Sequence, residues 1–244
     1  ASEQYTYDEL VGWLNTPAAC LARCSTKHEP GFKNRPLQAG NDEHSYISSY
    51  ASDGMEHAYK KNGVVISQKP LDVAEWYGIQ LNNAHHWHVS YDYDSYNLQN
   101  RNEDMALLNY EIAKEFSALN EDWSMDKAIC SEWVGDSCLN QYITVGGKST
   151  RTFHGLYSGS RNTARDNSLL HEMYQEIILH SLSKLTGRNY DVKLTRKSGD
   201  DETAVVGSLI EAILYIRTVE QTGFDGKRNK LLIAKGNSEF LQLV

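Results

Sequence analysis

Cysteine is scarce in this chain, with four in 244 residues: Cys20, Cys24, Cys130 and Cys138. They are too few and too unevenly spaced for a disulfide scaffold, and no Cys-x-x-Cys pair supplies zinc-ligand spacing. A reducing compartment fits that usage. Cys20 and Cys24 lie one helical turn apart in an apolar stretch and are expected as buried thiols. Long apolar runs are also missing, so no transmembrane helix is expected. The amino terminus, Ala1 to Tyr5, is polar and acidic, unlike a signal peptide. It lacks an initiator Met, so the chain is expected to be a fragment or a processed product. Positive charge is in deficit, with 24 Lys and Arg against 32 Asp and Glu and a net charge of −8. That balance argues against a general nucleic-acid coat. It leaves room for a locally basic channel, because the cations cluster. Lys27, Lys33 and Arg35 stand early, and Lys148, Arg151, Arg161 and Arg165 stand midway. No internal repeat, low-complexity tract or Pro/Gly/Ser linker divides the chain.

Hydrophobic residues make up 40%, the range of a globular protein with a sizeable core. Periodicity predicts helices over 7–24, 45–60, 70–81, 104–119 and 122–138. A long helix is expected over 163–185, with Leu169, Leu170, Met173, Ile177, Ile178 and Leu182 at helical spacing. Residues 27–41 read as a charged loop broken by Gly and Pro. Residues 88–93 alternate and read as a strand. Residues 142–153 read as a hairpin turning at Gly146-Gly147. Val192 to Thr195 and Thr203 to Val206 read as strands flanking Ser198-Gly199-Asp200-Asp201. A helix over 207–220 and short strands over 230–234 and 239–244 follow. This order describes an α+β unit, a sheet covered by helices on one face.

Four segments carry the chemistry. The first is Gly199-Asp200-Asp201, two carboxylates at a tight strand–turn–strand, where they could hold a divalent metal; Gly-Asp-Asp is also ordinary turn chemistry. The second is Asp92-Tyr93-Asp94-Ser95-Tyr96-Asn97, at the end of a strand-like run. A carboxylate there can project past the sheet edge, and Asp94 shares a strand face with Asp92; the bland alternative is an Asx turn. The third runs from Gly155 through Ser158, Gly159, Arg161 and Thr163 to Asn167. Backbone N–H groups at this helix start can meet polar ligand groups. Thr163 and Asn167, four apart, share a helix face where a ribose 2′-OH could be read. A glycine-containing helix cap is the plain alternative. The fourth, Lys27 to Arg35, holds three cations suited to a triphosphate, or is a solvated loop. Two lures fall away. Gly146-Gly147-Lys148-Ser149-Thr150 imitates a P-loop, but Tyr142 stands where its first glycine belongs. His85-His86-Trp87-His88 has no carboxylate or thiol pattern beside it and reads as buried or hydrogen-bonding histidines.

Taken in order, the four segments resemble the RNA-dependent RNA polymerases of double-stranded RNA viruses, most closely the totivirus and toti-like group. Lys27-x-Glu29 through Lys33-x-Arg35 resembles motif F. Asp92 to Asn97 resembles motif A, and Gly155-Leu156-x-Ser158-Gly159-x-Arg161-x-Thr163-x-x-x-Asn167 matches motif B at every quoted position. Ser198-Gly199-Asp200-Asp201 resembles motif C. Lys235 and Glu239-Phe240-Leu241 resemble motifs D and E, with Gln242 where the group usually has arginine. The resemblance spans about residues 27 to 242 by motif order.

It implies a right-hand polymerase palm with partial fingers. Residues 1–87 would be partial fingers with the motif F entry loop. Residues 88–244 would be palm, with a fingers-like insertion around 100–150 and no thumb. It implies template-directed RNA synthesis with two Mg²⁺ ions, or Mn²⁺ in their place, held by Asp92, Asp200 and Asp201. Lys27, Lys33 and Arg35 would hold the triphosphate. Asn97, Ser158, Thr163 and Asn167 would check the ribose, with Gly159 and Arg161 beside them. Lys235 would protonate the pyrophosphate. The implied partners are RNA template, nascent RNA, nucleoside triphosphates and a viral capsid protein, with no membrane, in the virion interior in the host cytoplasm. The alternatives are a reverse transcriptase-type polymerase, which usually has an aromatic residue before its paired acids, and a non-catalytic palm-like structural domain.

Overall fold

A computed structural model describes residues 5–29, 33–59, 63–64, 66, 70–188, 194–227 and 230–238. The first part runs α1 (Tyr7–Leu14), β1 (Cys20–Glu29), β2 (Lys33–Ala39), α2 (Asp42–Ser52), α3 (Met55–Ala58), α4 (Pro70–Asn82), β3 (Trp87–Asp92), α5 (Tyr96–Gln99), α6 (Asn102–Leu119) and α7 (Asp122–Leu139). Then follow β4 (Gln141–Val145), β5 (Lys148–Thr152), α8 (Thr163–Thr186), β6 (Leu194–Ser198), β7 (Asp201–Val206), α9 (Leu209–Gln221) and β8 (Leu232–Lys235). The strands expected at 192–193 and 239–244, and with them Glu239, Phe240, Leu241 and Gln242, lie outside the described residues. The chain forms two compact units, Ala1–Gly54 with Asn97–Asp166, and Met55–Tyr96 with Asn167–Val244. Residues 55–87 group with the strand that follows them, and 97–166, the stretch that holds the fingers-like insertion expected around 100–150, group with the amino-terminal segment.

In the first unit a sheet runs β2-β1-β4-β5. Its amino-terminal part corrects two expectations. The predicted helix over 7–24 stops at Leu14 and a strand begins at Cys20. Pro17 follows the helix, and from Cys20 onward burial alternates: Cys20 and Ala22 are buried and Leu21 is exposed. That is strand period, and four-residue spacing of the two cysteines fits it as well as it fits a helix. Cys24 is exposed, not buried. The predicted loop over 27–41 is largely β2, paired antiparallel with β1. β4 and β5 turn at Gly146 and Gly147, both at positive φ, so this segment is a hairpin and not a phosphate loop. Helices α6 and α7 pack so closely that a Cβ on Gly135 would lie 2.6 Å from the Tyr110 ring.

In the second unit the sheet runs β6-β7-β3-β8 and every pairing is antiparallel. Helix α9 packs on β3 and β7. The two central strands are buried along nearly their full length on both faces, with Val89, Ala204 and Val205 at the centre of the core. Helix α8 buries Leu170, Ile178 and Leu182, whereas Ile177 faces outward. Its buried face also carries polar residues: Ser168, His171, Glu172 and Gln175. Their spacing, i, i+3, i+4 and i+7, puts them on one side of the helix.

Candidate active site

The paired acids sit where two strands are joined by the shortest kind of turn. Ser198 pairs with Asp201, leaving Gly199 and Asp200 as the turn. Gly199 has φ of 61° and Asp200 is not at positive φ. A two-residue hairpin with glycine first is the II′ arrangement, so the sequence selects this turn. The next strand over completes the site: Asp92, the last residue of β3, lies opposite Asp201 in register. Three carboxylates from two chain segments therefore share one edge of one sheet. Asp94 lies past the strand end in an exposed turn, so the register favours Asp92 as the acid paired with the hairpin.

Asp92 is already met by positive charge. Lys227 Nζ donates to its Oδ1 at 3.0 Å and Lys230 Nζ to its Oδ2 at 2.8 Å. Partial burial pushes the Asp92 carboxyl up, but the bonds and charges of the two lysines outweigh it and hold it below its ordinary range. Lys235 does not belong to this group. It pairs with Trp87, at the opposite end of β3 from Asp92, and five residues of strand span about 16 Å. Register between distant segments cannot be read from spacing, and the lysines that reach the acid are Lys227 and Lys230.

Behind the turn lies a buried polar network that the sequence reading missed. Glu202 follows Asp201, so strand alternation turns its side chain to the opposite face. It accepts from His171 Nε2 at 2.8 Å, Gln175 Nε2 at 2.7 Å, Tyr93 Oη at 3.2 Å, and Tyr215 Oη. Burial would raise the Glu202 carboxyl; His171 first, then Tyr215 and Lys197, hold it below the usual carboxylate range. Tyr215 is pushed well above its ordinary range by burial and by the Glu202 charge. On the neighbouring strand, Lys197 forms a buried ion pair with Glu172. The turn itself is tied to α8: Gly199 N–H donates to Ser168 Oγ at 3.0 Å, and Gly199 C=O accepts from His171 Nδ1 at 3.0 Å.

The remaining candidates divide between the units. Asn97, Ser158, Gly159, Arg161 and Thr163 lie in the first unit, and Asn167 in the second. Ser158 Oγ donates to Pro36 O at 3.0 Å and Gln38 Oε1 at 2.9 Å, and Gly159 N–H donates to Gln38 O at 3.0 Å. The loop is thus laid on β2, where the Gly159 N–H is used, whereas the Ser160 N–H turns back to Tyr157 O. Gly159 makes this approach feasible, because a Cβ would sit 2.6 Å from Gln38 O. Thr163 Oγ1 donates to Tyr157 O at 2.7 Å and Ser160 O at 2.8 Å, fastening the start of α8. Asn167 is buried, and its carbonyl accepts from Tyr96 Oη at 3.5 Å. Lys27 and Arg35 are exposed and stand directly opposite each other on the β1–β2 hairpin. Lys33 closes the same ladder opposite Glu29.

The acids fit a magnesium site by donor chemistry. Among the described residues no three His, Cys, Asp or Glu side chains form a ready cage. Mg²⁺ needs none: it takes hard oxygen ligands, commonly one or two carboxylates, and completes its shell with water and substrate phosphate. Both oxygens of Asp92 are engaged by ammonium groups, so a metal ion there takes the place of one or both.

Two solved structures share this fold. The insertion-loop deletion mutant of the RNA-dependent RNA polymerase of a human picorbirnavirus superposes with a TM-score of 0.63 at 15% identity, covering 91% of this chain and 43% of that one. The RNA-dependent RNA polymerase of a human picorbirnavirus gives 0.61 at 16% identity, covering 91% and 42%. This chain therefore has a mixed α and β polymerase fold and spans about two fifths of the length of these polymerases. No curated protein matches it. The family described as viral RNA-directed RNA-polymerase matches residues 9–243, and the chain belongs to that family.

Proposed function

We propose that this chain carries the palm and part of the fingers of an enzyme that copies RNA from an RNA template, in viral transcription and genome replication. The observation that carries the proposal is the register of Asp92 against Asp201, with Asp200 in the adjoining turn. In this reading Met55–Tyr96 with Asn167–Val244 is palm, and Ala1–Gly54 with Asn97–Asp166 contributes fingers. Asp92, Asp200 and Asp201 hold the metal. When bound, a pair of Mg²⁺ ions, or Mn²⁺ in their place, neutralises charge on the attacking and leaving oxygens of an in-line displacement.

The protein groups then have separable tasks. Lys27, Lys33 and Arg35 bind the triphosphate, Arg35 through paired donors and the lysines as point charges. Asn97 and Asn167 test the ribose hydroxyl. Ser158 and Thr163, whose hydroxyls are held by backbone carbonyls, shape the loop that presents them, along with Gly159 and Arg161. Lys235 protonates the pyrophosphate, while Lys227 and Lys230 bind the Asp92 carboxylate. Asp92-Tyr93-Asp94-Ser95-Tyr96-Asn97 and the Gly155–Asn167 motif favour a totivirus or toti-like source within the family. On that source rests the further reading of a polymerase housed with capsid protein inside a virion in the host cytoplasm.

The test is primed incorporation by the full-length chain on an RNA template, with ribonucleotides and deoxyribonucleotides supplied in parallel. Ribonucleotide addition that needs both the template and a divalent ion is expected. Preferential deoxyribonucleotide addition would identify a reverse transcriptase instead, and no template-dependent addition of either kind would reduce the fold to a structural role.

A further inference from the structure

We propose that His171 is a positioning residue for divalent-metal binding: from the middle of α8 it fixes the Gly199–Asp200 peptide, and so aims the Asp200 carboxylate. The inference rests on the reading of Asp92, Asp200 and Asp201 as the metal-binding acids. His171 contributes no ligand and touches no substrate group. Its Nδ1 donates to the carbonyl of Gly199, 3.0 Å away. That carbonyl belongs to the planar unit that includes the Asp200 nitrogen. Holding its oxygen therefore holds the direction in which the chain enters Asp200.

The imidazole is itself held. A carbonyl oxygen only accepts, so Nδ1 carries a hydrogen and points at the turn. Nε2 faces Glu202 Oε2 at 2.8 Å, and both side chains of this pair are fully buried. A ring flip would break both bonds inside the core. Glu202 is anchored in turn by Gln175, Tyr93 and Tyr215. One helical turn before His171, Ser168 accepts the Gly199 N–H. Both backbone polar groups of this glycine are thus fastened to one face of α8. Glycine at φ of 61° has unusual conformational freedom, and the two bonds remove it where the acids need a fixed direction.

Energetics favour a positioning role over simple cohesion. A buried ion pair is weak evidence for stability, because apolar residues of similar volume often serve as well or better. The molecule nevertheless buries His171 with Glu202 and Lys197 with Glu172 against the two strands of the acidic hairpin. What an apolar core would not supply is a donor aimed at the Gly199 carbonyl.

Two near-isosteric variants separate the functions of the ring. In His171→Asn the amide nitrogen reaches the Nδ1 position and retains the bond to Gly199. In His171→Gln it reaches the Nε2 position and retains the bond to Glu202. Both remove the imidazole, and His171→Asn also leaves the buried Glu202 without this donor, so a merely structural role would make His171→Asn the more damaged of the two in melting temperature and in Mn²⁺ affinity alike. The measurement is Mn²⁺ affinity of the full-length chain by electron paramagnetic resonance, alongside the melting temperature and kcat and KM for single-nucleotide addition. His171→Gln should weaken Mn²⁺ binding about tenfold, the effect of losing one hydrogen bond that orients a charged ligand. It should also lower kcat more than it raises KM, whereas His171→Asn stays within about twofold for Mn²⁺ even though its melting temperature falls further, because Glu202 has lost this donor. Equal Mn²⁺ affinity in the two variants would overturn the proposal. Asp200→Asn in the same titration tests the underlying reading: wild-type Mn²⁺ binding there would remove the acids as ligands, whatever His171 does. If a His171 variant does not fold, Ser168→Ala carries the test. It removes one hydroxyl and should weaken Mn²⁺ about threefold or more; unchanged affinity would overturn the proposal.

Discussion

Glu202→Gln places an amide where the structure has a carboxylate with four donors around it. Oε1 accepts from Gln175 and Tyr215, and Oε2 from His171 and Tyr93. The substitution keeps the volume, so no cavity forms. An amide has one accepting oxygen and a nitrogen that donates, so one pair of neighbours meets a donor. Tyr215 can rotate its hydroxyl to accept, and Gln175 can turn its amide over. His171 cannot adapt without releasing Gly199, so the new oxygen settles toward His171 and Tyr93. What is then lost is the charge opposite His171, and removing one partner of a buried ion pair typically costs about 3–5 kcal/mol. The rotations on the other side favour the lower end, about 3 kcal/mol. For a chain of this size that is a fall in melting temperature of about 6–12 °C. The assay is thermal unfolding at neutral pH followed by near-ultraviolet circular dichroism, which reports on the buried tyrosines. A melting temperature within about 1 °C of wild type would refute the reasoning, because it would mean that Glu202 carries no charge that matters to the fold.

Gly159→Ala should lower stability by about 1–3 kcal/mol, the cost of overpacking, because its Cβ would press to 2.6 Å from Gln38 O; an unchanged urea midpoint would show that the loop does not lie on β2. His44 is buried without a partner for Nδ1, and burial lowers its pKa from 6.5 to about 4. The unfolded chain therefore binds a proton that the folded chain refuses. Stability is complete above pH 6.5 and falls as the pH drops toward 4, by about 2 kcal/mol at pH 5. His44→Leu should flatten unfolding free energy against pH in that window, and a slope equal to wild type would refute the assignment. Asn167→Ala should reduce discrimination between ribo- and deoxyribonucleotides by about 1–3 kcal/mol, the range for an unsatisfied buried group. The ratio of kcat/KM for the two substrates on one RNA template measures it, and an unchanged ratio returns Asn167 to an ordinary helix position.

Much of the site was legible because its signals are local. Gly199 and the acids after it specify a two-residue hairpin, and a β-prone run ending at Asp92 specifies a strand end. Gly146-Gly147 announced its own turn. What failed was information carried between distant segments or shared by two periods. Cys20 to Cys24 satisfies helical and extended spacing alike, and only the pairing of β1 with β2 and β4 decides it. Ser168, His171, Glu172 and Gln175 have the spacing of a helix face, but polar residues at that spacing normally mean solvent. Nothing local says that Lys197 and Glu202 will be buried against them. That Lys227 and Lys230 reach Asp92, whereas Lys235 pairs with Trp87 through the register of β8 on β3, is information the linear sequence does not contain.

The central claim is that the edge shared by Asp92, Asp200 and Asp201 is where nucleotides are joined. Asp200→Asn tests it most directly, because Asp200 is exposed in the hairpin turn and the amide has the carboxylate's volume, so the fold should survive. The measurement is nucleotide addition by the full-length chain on a primed RNA template, with melting temperature recorded in parallel. An unchanged melting temperature is expected, with loss of addition by at least about a thousandfold, the scale of removing a main source of transition-state charge stabilisation. Addition at the wild-type rate would contradict it.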